Sequence, residues 1–273
     1  MLSHFALWQR FHGPLVAVVV TLGLALAGRF LRIRLLDAAA GGAGVVAGWF
    51  AITGELWPVL ARPSVENLTG VAAIALVTGL IATWMGPGRH DWIAMLLAAL
   101  ACAWLLSGAP RSLAGLRSEW PVGVGVIAAV LVFIRFLAGS PEPLRLALAG
   151  LTLAAALHVA GAPPVWTQLA LVPGLAALAT FAQAQMAAPA ALPVAVDVAA
   201  ACCLAAIAMG RLPRLGFSAP DAAALSPLLA VWLEPRTTER VRGLGSMAPL
   251  VGGLLAGAIA VGCVWLARQA IGH

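Results

Sequence analysis

The sequence predicts an all-α integral membrane protein with about ten transmembrane helices, arranged as a five-plus-five inverted repeat. Three observations lead to this prediction. The composition is too apolar for a water-soluble domain, apolar stretches of membrane-spanning length follow one another along the chain, and scarce residues recur at a nearly constant interval.

The composition decides the broad class. Hydrophobic residues make up 62% of the chain and charged residues only 10%, and the mean hydropathy is +1.00. A soluble domain carries about 25% charged residues, so this chain has too little polar surface to face water. Ala, Leu and Gly dominate, and the sustained alternation typical of membrane β-strands is missing. The composition therefore predicts transmembrane helices.

The basic residues exclude several functions. All sixteen are Arg, and without Lys the chain can form neither a Schiff base nor a Walker-type phosphate site. The net charge of +6 is typical of loop Arg that face anionic lipid headgroups, so we expect no nucleic-acid partner. The four Cys lie in apolar stretches without metal-ligand spacing. We expect no metal, no cofactor and no catalytic residue.

Breaks rich in Pro, Gly and Arg divide the chain into ten apolar segments, and about 17–25 such residues suffice to span a bilayer. The segments lie near 13–29, 38–61, 68–86, 91–108, 121–138, 144–161, 166–187, 190–210, 221–234 and 247–268. A basic start and an apolar stretch are also typical of a signal peptide. However, the first segment is followed at once by further apolar segments, so we expect an uncleaved transmembrane helix there. Segment 38–61 is interrupted by Glu55 and Pro58, and 221–234 is short, so nine spans are the alternative.

Scarce residues recur in the same order in the two halves of the chain, at intervals of 124 to 130 residues. The shortest interval relates "WMGPGR" (84–89) to "AMGRLPR" (208–214). An odd number of spans in each half would insert the second half upside down, as in many secondary transporters. Further pairs at these intervals are Pro14 with Pro143, Asp91 with Asp221, Trp104 with Trp232, Pro110 with Pro235 and Pro121 with Pro249.

The same interval defines two predicted repeats, residues 1–139 and 140–273. It also relates two charged stretches, "APRSLAGLRSEWP" (109–121) and "LEPRTTERVRGLG" (233–245). We expect them to be equivalent turns between the fourth and fifth helix of each repeat, because a turn at the membrane surface keeps its charges hydrated.

The chain resembles the drug/metabolite transporter superfamily in its EamA-like, ten-helix form. The segment 221–267 is similar to the closing pattern of that family, with Pro227 inside a helix, Glu234 at its end, a short turn and Gly252-Gly253 in the last helix. The first half departs from the pattern, since Ser107 and Gly108 stand where the terminal Glu is expected. The resemblance implies secondary transport of a small metabolite, or export of an amphiphilic compound, without ATP hydrolysis.

Two carboxylates are the main candidates for substrate or ion binding, because an ionisable group inside a span costs about 2.5–3.5 kcal/mol on insertion scales. Glu55 lies three residues before Pro58, which lacks a backbone donor and can open the helix. Asp197 has only apolar neighbours, so desolvation opposes its ionisation and it could carry a proton. The alternatives are a hydrated Glu55 near the interface and an Asp197 that is hydrogen-bonded to a neighbouring helix.

Three further residues complete the candidate site. His158 lies near the end of the sixth span, where a hydrated histidine is the alternative. Gln168 in the seventh span could supply a neutral polar contact. Trp49 lies farther from a span end than the other Trp residues and could line a substrate cavity. Pro173-Gly174 predicts a break in the seventh helix, and discontinuous helices in matching positions point to a binding site in transporters.

Two other functions stay open on the sequence alone. A lipid-modifying membrane enzyme would need polar side chains at one membrane face, which only the His90 region and residues 211–221 offer. A non-catalytic membrane subunit could pack a partner through small-residue faces such as "GGLLAGAIAVG" (252–262). The partners expected for a transporter are a small-molecule substrate, the lipid bilayer and, as an option, a second copy in a homodimer. The expected location is the bacterial inner membrane.

The repeat generates the first testable prediction. Because the intervals are nearly constant, residues 13–138 of an experimental structure should superpose on residues 144–268 after inversion, with five helices matched in order. Nine spans, or helices that match in another order, would remove the main support for a transporter.

Overall fold

The computed structural model of the protein describes residues 4–56, 65–85, 89–137, 142–183, 192–208 and 219–271. Within those ranges the chain forms ten α-helices and one short 3₁₀ helix, and no strand. The predicted all-α class is thereby confirmed for this part of the chain. The helices are α1 (His4–Phe30), α2 (Arg34–Thr53), α3 (Asn67–Met85), α4 (Arg89–Leu106), α5 (Leu113–Leu137), α6 (Glu142–Val159), α7 (Pro164–Gln183), α8 (Leu192–Ala208), α9 (Ala219–Arg240) and α10 (Ala248–Ile271).

Six helical stretches in the described ranges are long and apolar enough to cross a membrane, which identifies an integral membrane protein. They are Phe11–Phe30, Arg34–Thr53, Asn67–Met85, Leu113–Phe136, Pro164–Ala182 and Arg242–Ala270. Shorter apolar stretches occur in α4, α6 and α8. The count of ten spans therefore stays a prediction.

The second helix ends earlier than the sequence predicts. The second apolar segment is predicted to run to residue 61, but α2 ends at Thr53 because Gly54 adopts a left-handed conformation, with φ 75°, and its N–H donates to the carbonyl of Phe50 at 2.8 Å. Glycine is the usual residue at this position of a helix end, since it has no Cβ to clash. Glu55 consequently lies after α2 and not inside it.

The two charged stretches are mostly helical, and this corrects the prediction of two equivalent turns. Residues 113–121 form the first turns of α5, and residues 233–240 form the last turns of α9. The Ser112 side chain accepts a hydrogen bond from the N–H of Gly115 at 3.1 Å and so caps the start of α5. In α9, Arg236 lies 3.9 Å over the ring of Trp232, one helical turn earlier. Most of the charged residues thus lie in the first turns of α5 and in the last turns of α9.

Glycines allow two pairs of consecutive helices to pack at short range. In the α1–α2 pair, a Cβ on Gly48 would lie 2.9 Å from both the Cβ of Ala17 and the carbonyl oxygen of Gly13. In the α6–α7 pair, a Cβ on Gly150 would lie 2.5 Å from the Cα of Gly174. Small residues at such crossings let helix backbones approach closely, which is the usual way that membrane helices gain packing energy.

Helix α8 occupies the centre of the described bundle. It contacts α2, α3, α4, α5, α6, α7 and α9, and every residue from Val194 to Leu204 is buried. Ala, Val and Cys make up most of this stretch, and because their side chains are small, other helices can pack against α8 on all sides. A carboxylate on this helix is therefore far from water.

The neighbours of corresponding helices agree only in part. The pairs α1–α2 and α6–α7, which an inverting two-fold axis would exchange, are both closely packed. Helix α2 contacts α7, and α3 contacts α8, and the same axis would map each of these two pairs onto itself. In such a repeat, α1, α4 and α5 correspond to α6, α9 and α10. However, α6 contacts α9 and α10, whereas within the described residues α1 contacts neither α4 nor α5. The five-plus-five repeat, with its halves 1–139 and 140–273, stays a prediction.

The α6–α7 crossing generates a prediction on stability. Gly150→Ala should destabilise the protein by about 1–3 kcal/mol, because the added methyl group meets the backbone of α7 and cannot be relieved by a side-chain rotation. The measurement is thermal unfolding of the purified protein in detergent. Gly23→Ala in α1 is the matched control, since no heavy atom lies within 4 Å of its Cβ position. Equal melting temperatures for the two variants would show that the crossing is not tight.

Candidate functional site

The candidate residues are separated along the axis of the bundle. Glu55 follows the end of α2, Gln168 lies in the second turn of α7, and His158 lies in the last turn of α6. These three share one side of the bundle, because α2 and α7 are antiparallel and α7 begins where α6 ends. We call it the C-side, after the end of α6, and the opposite side, where α6 begins, the N-side.

Asp197 lies near the middle of the bundle along its axis, because α8 runs from the N-side toward the C-side and Asp197 comes one helical turn after Val194. Val194, three residues before it, has a side-chain carbon 3.3 Å from the Cβ position of Gly41, in the first half of α2. The structure therefore does not bring Asp197 together with Glu55, Gln168 and His158.

The surroundings of Asp197 are apolar. The residue is 0% exposed, and within the described part of the chain neither carboxylate oxygen has a hydrogen-bond partner. The predicted alternative, a structural hydrogen bond to a neighbouring helix, is thus not formed within the described ranges.

A carboxylate in this position is expensive to ionise. A buried charged group without a partner keeps the full cost of losing its water, which is the reason why such groups are rare in membrane spans and mark proton or ion pathways. Asp197 can take up or release one proton, and its apolar surroundings favour the neutral form of the carboxyl group over the charged form. Among the described residues, no group of three His, Cys, Asp or Glu is placed to hold a metal ion.

Trp49 has a structural role. Its side chain is 0% exposed, and its indole N–H donates to the carbonyl of Leu169 on α7 at 2.8 Å. In a regular helix that carbonyl would accept from the N–H of residue 173, but residue 173 is proline and has no N–H. The indole of Trp49 replaces the missing donor, and α7 continues through Pro173 from Pro164 to Gln183. The break predicted at Pro173-Gly174 is therefore absent.

The other predicted residues lie nearer to the surface. His158 is exposed and Gln168 is half-buried, and Gln168 takes part in a polar interaction. Glu55 is half-buried, and its Oε2 is buried without a hydrogen-bond partner in the described chain. Pro58, which is predicted to open the helix beside Glu55, lies outside the described residues.

The sequence analysis missed an ion pair on the N-side of the bundle. Arg145, in the first turn of α6, has its Nη2 3.5 Å from Oε2 of Glu234 on α9, and the two side chains are only 20% and 9% exposed. Thr238 donates to Oε1 of Glu234 at 3.1 Å. The contact between Glu234 and Thr238 could have been predicted, because the two residues are four positions apart in one helix. The partner on α6 could not be predicted from the sequence.

This ion pair lies at one end of a cavity of about 690 Å³ between α6 and α10. Apolar side chains and glycines line most of the cavity, and it extends to Val159 and Trp265 on the C-side. At that end Arg268 donates to the carbonyl of Val159. The combination of a long apolar cavity with charged groups at one end suits an amphiphilic molecule.

Comparison with protein-family models, with curated proteins and with solved structures finds no match to this chain. The resemblance to the drug/metabolite transporter superfamily therefore rests on the residues of the sequence and stays a prediction.

The contact between Trp49 and Leu169 generates a prediction with a built-in control. Trp49→Phe should lower the free energy of unfolding by about 1–3 kcal/mol beyond the loss of packing, because it leaves a buried carbonyl without a donor. In a Pro173→Ala background the same change should cost less, since residue 173 then supplies its own N–H. The measurement is thermal unfolding of the four proteins of this double-mutant cycle. An equal loss in both backgrounds would contradict the assignment.

Proposed function

We propose that the protein is a secondary transporter of a small metabolite or amphiphilic compound, that it works without ATP hydrolysis, and that it is coupled to protons through Asp197. The observation that carries the proposal is the complete burial of the Asp197 carboxylate at the centre of the bundle without a hydrogen-bond partner in the described chain. A fold retains such a costly group only where it serves a function or is compensated, and proton transfer is the chemistry available to a lone carboxylate.

The position of Asp197 also supports the proposal. Helix α8 contacts helices from both halves of the chain, so a change in the charge of Asp197 alters the energy of contacts with helices from both predicted repeats. In this proposal the described conformation is an occluded one, in which water does not reach the carboxylate. Proton uptake or release then requires the helices around α8 to move, which is how one group can couple a proton to substrate movement.

The resemblance to EamA-like transporters adds the architecture to this proposal: two inverted five-helix repeats, 1–139 and 140–273, in the bacterial inner membrane. Glu234, the residue that matches the family's terminal Glu, is buried and forms an ion pair with Arg145 at the start of α6. A lipid-modifying enzyme gains no comparable support, since the side chain of His90 and residues 209–218 lie outside the described part of the chain.

Transport in proteoliposomes tests the proposal. The probes are ethidium, an amphiphilic cation, and radiolabelled alanine and lactate. A pH difference of one unit is worth about 1.4 kcal/mol, so coupling to one proton supports about a tenfold concentration difference of a transported probe. The wild-type protein should build such a difference for at least one probe. Asp197→Asn should still equilibrate that probe but should accumulate none, because the amide keeps the shape and does not exchange a proton.

Asp37→Asn is the matched control, because Asp37 is a half-buried carboxylate in the first turn of α2. It should keep the accumulation of the wild-type protein. Accumulation by Asp197→Asn with unchanged pH dependence would contradict proton coupling through Asp197. A wild-type protein that moves none of the probes and no protons would contradict the transporter.

A further inference from the structure

The cavity between α6 and α10 is an elongated groove formed by two parallel helices. Their direction follows from paired contacts, since Gly253 faces Leu148, Gly257 faces Thr152, and Arg268 reaches the end of α6. From Arg145 to Val159 the groove follows about 21 Å of helix at 1.5 Å per residue. It therefore runs along most of the apolar length of both helices.

Glycine on α10 creates the space. A Cβ at Gly262 would meet no heavy atom within 4 Å, and one at Gly253 would meet only the end of Leu148, at 3.7 Å. Both glycines line the groove. Larger residues at these positions would fill it without disturbing the helix contacts, so the open space is not a requirement of helix packing.

Charged groups lie at the N-side end of the groove. A second, polar cavity of about 370 Å³ adjoins it there and shares Arg145 and Glu234 with it. Thr238, Glu239 and Arg242 also line this polar cavity. The Nε of Arg145 is buried and has no hydrogen-bond partner among the described residues. The polar end thus presents two cations, two carboxylates and one unused buried donor.

We propose that this groove binds one acyl chain of a phospholipid with a zwitterionic ethanolamine headgroup, whose phosphate contacts Arg145 and Arg242 and whose ammonium contacts Glu239. The proposal goes beyond transport and does not depend on it. Two opposite charges on one headgroup match the paired charges of the polar cavity, and guanidinium groups suit phosphate because their donors form a planar fork.

The size of the groove favours a lipid chain over a helix from a second copy of the protein. A helix of about 10 Å diameter would enter this open groove with one face only, whereas a hydrocarbon chain can lie inside the cavity of about 690 Å³ along its whole length. One extended hydrocarbon chain is narrow enough. Its neighbours in the groove would be apolar side chains, so no polar group would be left unsatisfied by its binding.

Native mass spectrometry of the delipidated full-length protein in detergent tests the proposal. The probe is palmitoyl-oleoyl phosphatidylethanolamine, and one molecule should remain bound to the wild-type protein. Gly262→Leu should weaken binding about tenfold or more, because the leucine displaces two or more methylene groups of the chain. Gly123→Leu in α5 is the matched control, since its Cβ position is equally open but lies outside the groove, and it should bind as the wild-type protein does.

The headgroup is tested separately with Arg242→Gln and with two other lipids. Arg242→Gln should weaken binding of the ethanolamine lipid several-fold. Two other lipids should bind several-fold more weakly to the wild-type protein. Phosphatidylglycerol has no cation for Glu239, and the cation of phosphatidylcholine has no N–H donor. Equal binding to Gly262→Leu and the wild-type protein would overturn the groove as the site. Phosphatidylglycerol binding as tightly as the ethanolamine lipid, or a dimer that Gly262→Leu abolishes, would overturn the proposed occupant.

Discussion

The structure depends on one constraint: a polar group removed from water must find its partner inside the chain. Proline makes the constraint visible, because each proline inside a helix leaves a carbonyl without its usual donor. The indole of Trp49 supplies that donor for Leu169, four residues before Pro173. The hydroxyl of Ser226 does the same for Ala223, four residues before Pro227, at 2.7 Å. These bonds satisfy two of the carbonyls that prolines leave without a donor inside α7 and α9.

Asp197 departs from this rule on the buried central helix of the described bundle. Small residues let α8 occupy the centre, and its carboxylate is left there with neither oxygen hydrogen-bonded in the described chain. The pair of Arg145 and Glu234 shows how the same chain treats charges elsewhere, with a counter-charge and a hydroxyl from Thr238 nearby. The contrast between the two sites is the physical basis for assigning proton chemistry to Asp197 and ligand binding to the cavity beside the pair.

Composition and local pattern were enough to predict part of the structure. The all-α membrane class followed from the apolar fraction, and the burial of Asp197 from its apolar neighbours. The helix ends at Gly54 and within the charged stretches were missed, because a left-handed glycine and a cap by Ser112 decide them locally. The role of Trp49, the partner of Arg145 and the groove could not be predicted, since each depends on which helices lie side by side. Local periodicity carries no information on that arrangement.

Proton binding by the purified protein tests the central claim most directly. The measurement is a potentiometric titration of the wild-type protein and of Asp197→Asn in detergent, across the pH range in which both stay folded. If Asp197 exchanges a proton in the native fold, the two curves differ by one proton per molecule within that range. Superimposable curves would show that the carboxylate holds a single protonation state throughout, and would contradict its assignment as the coupling group.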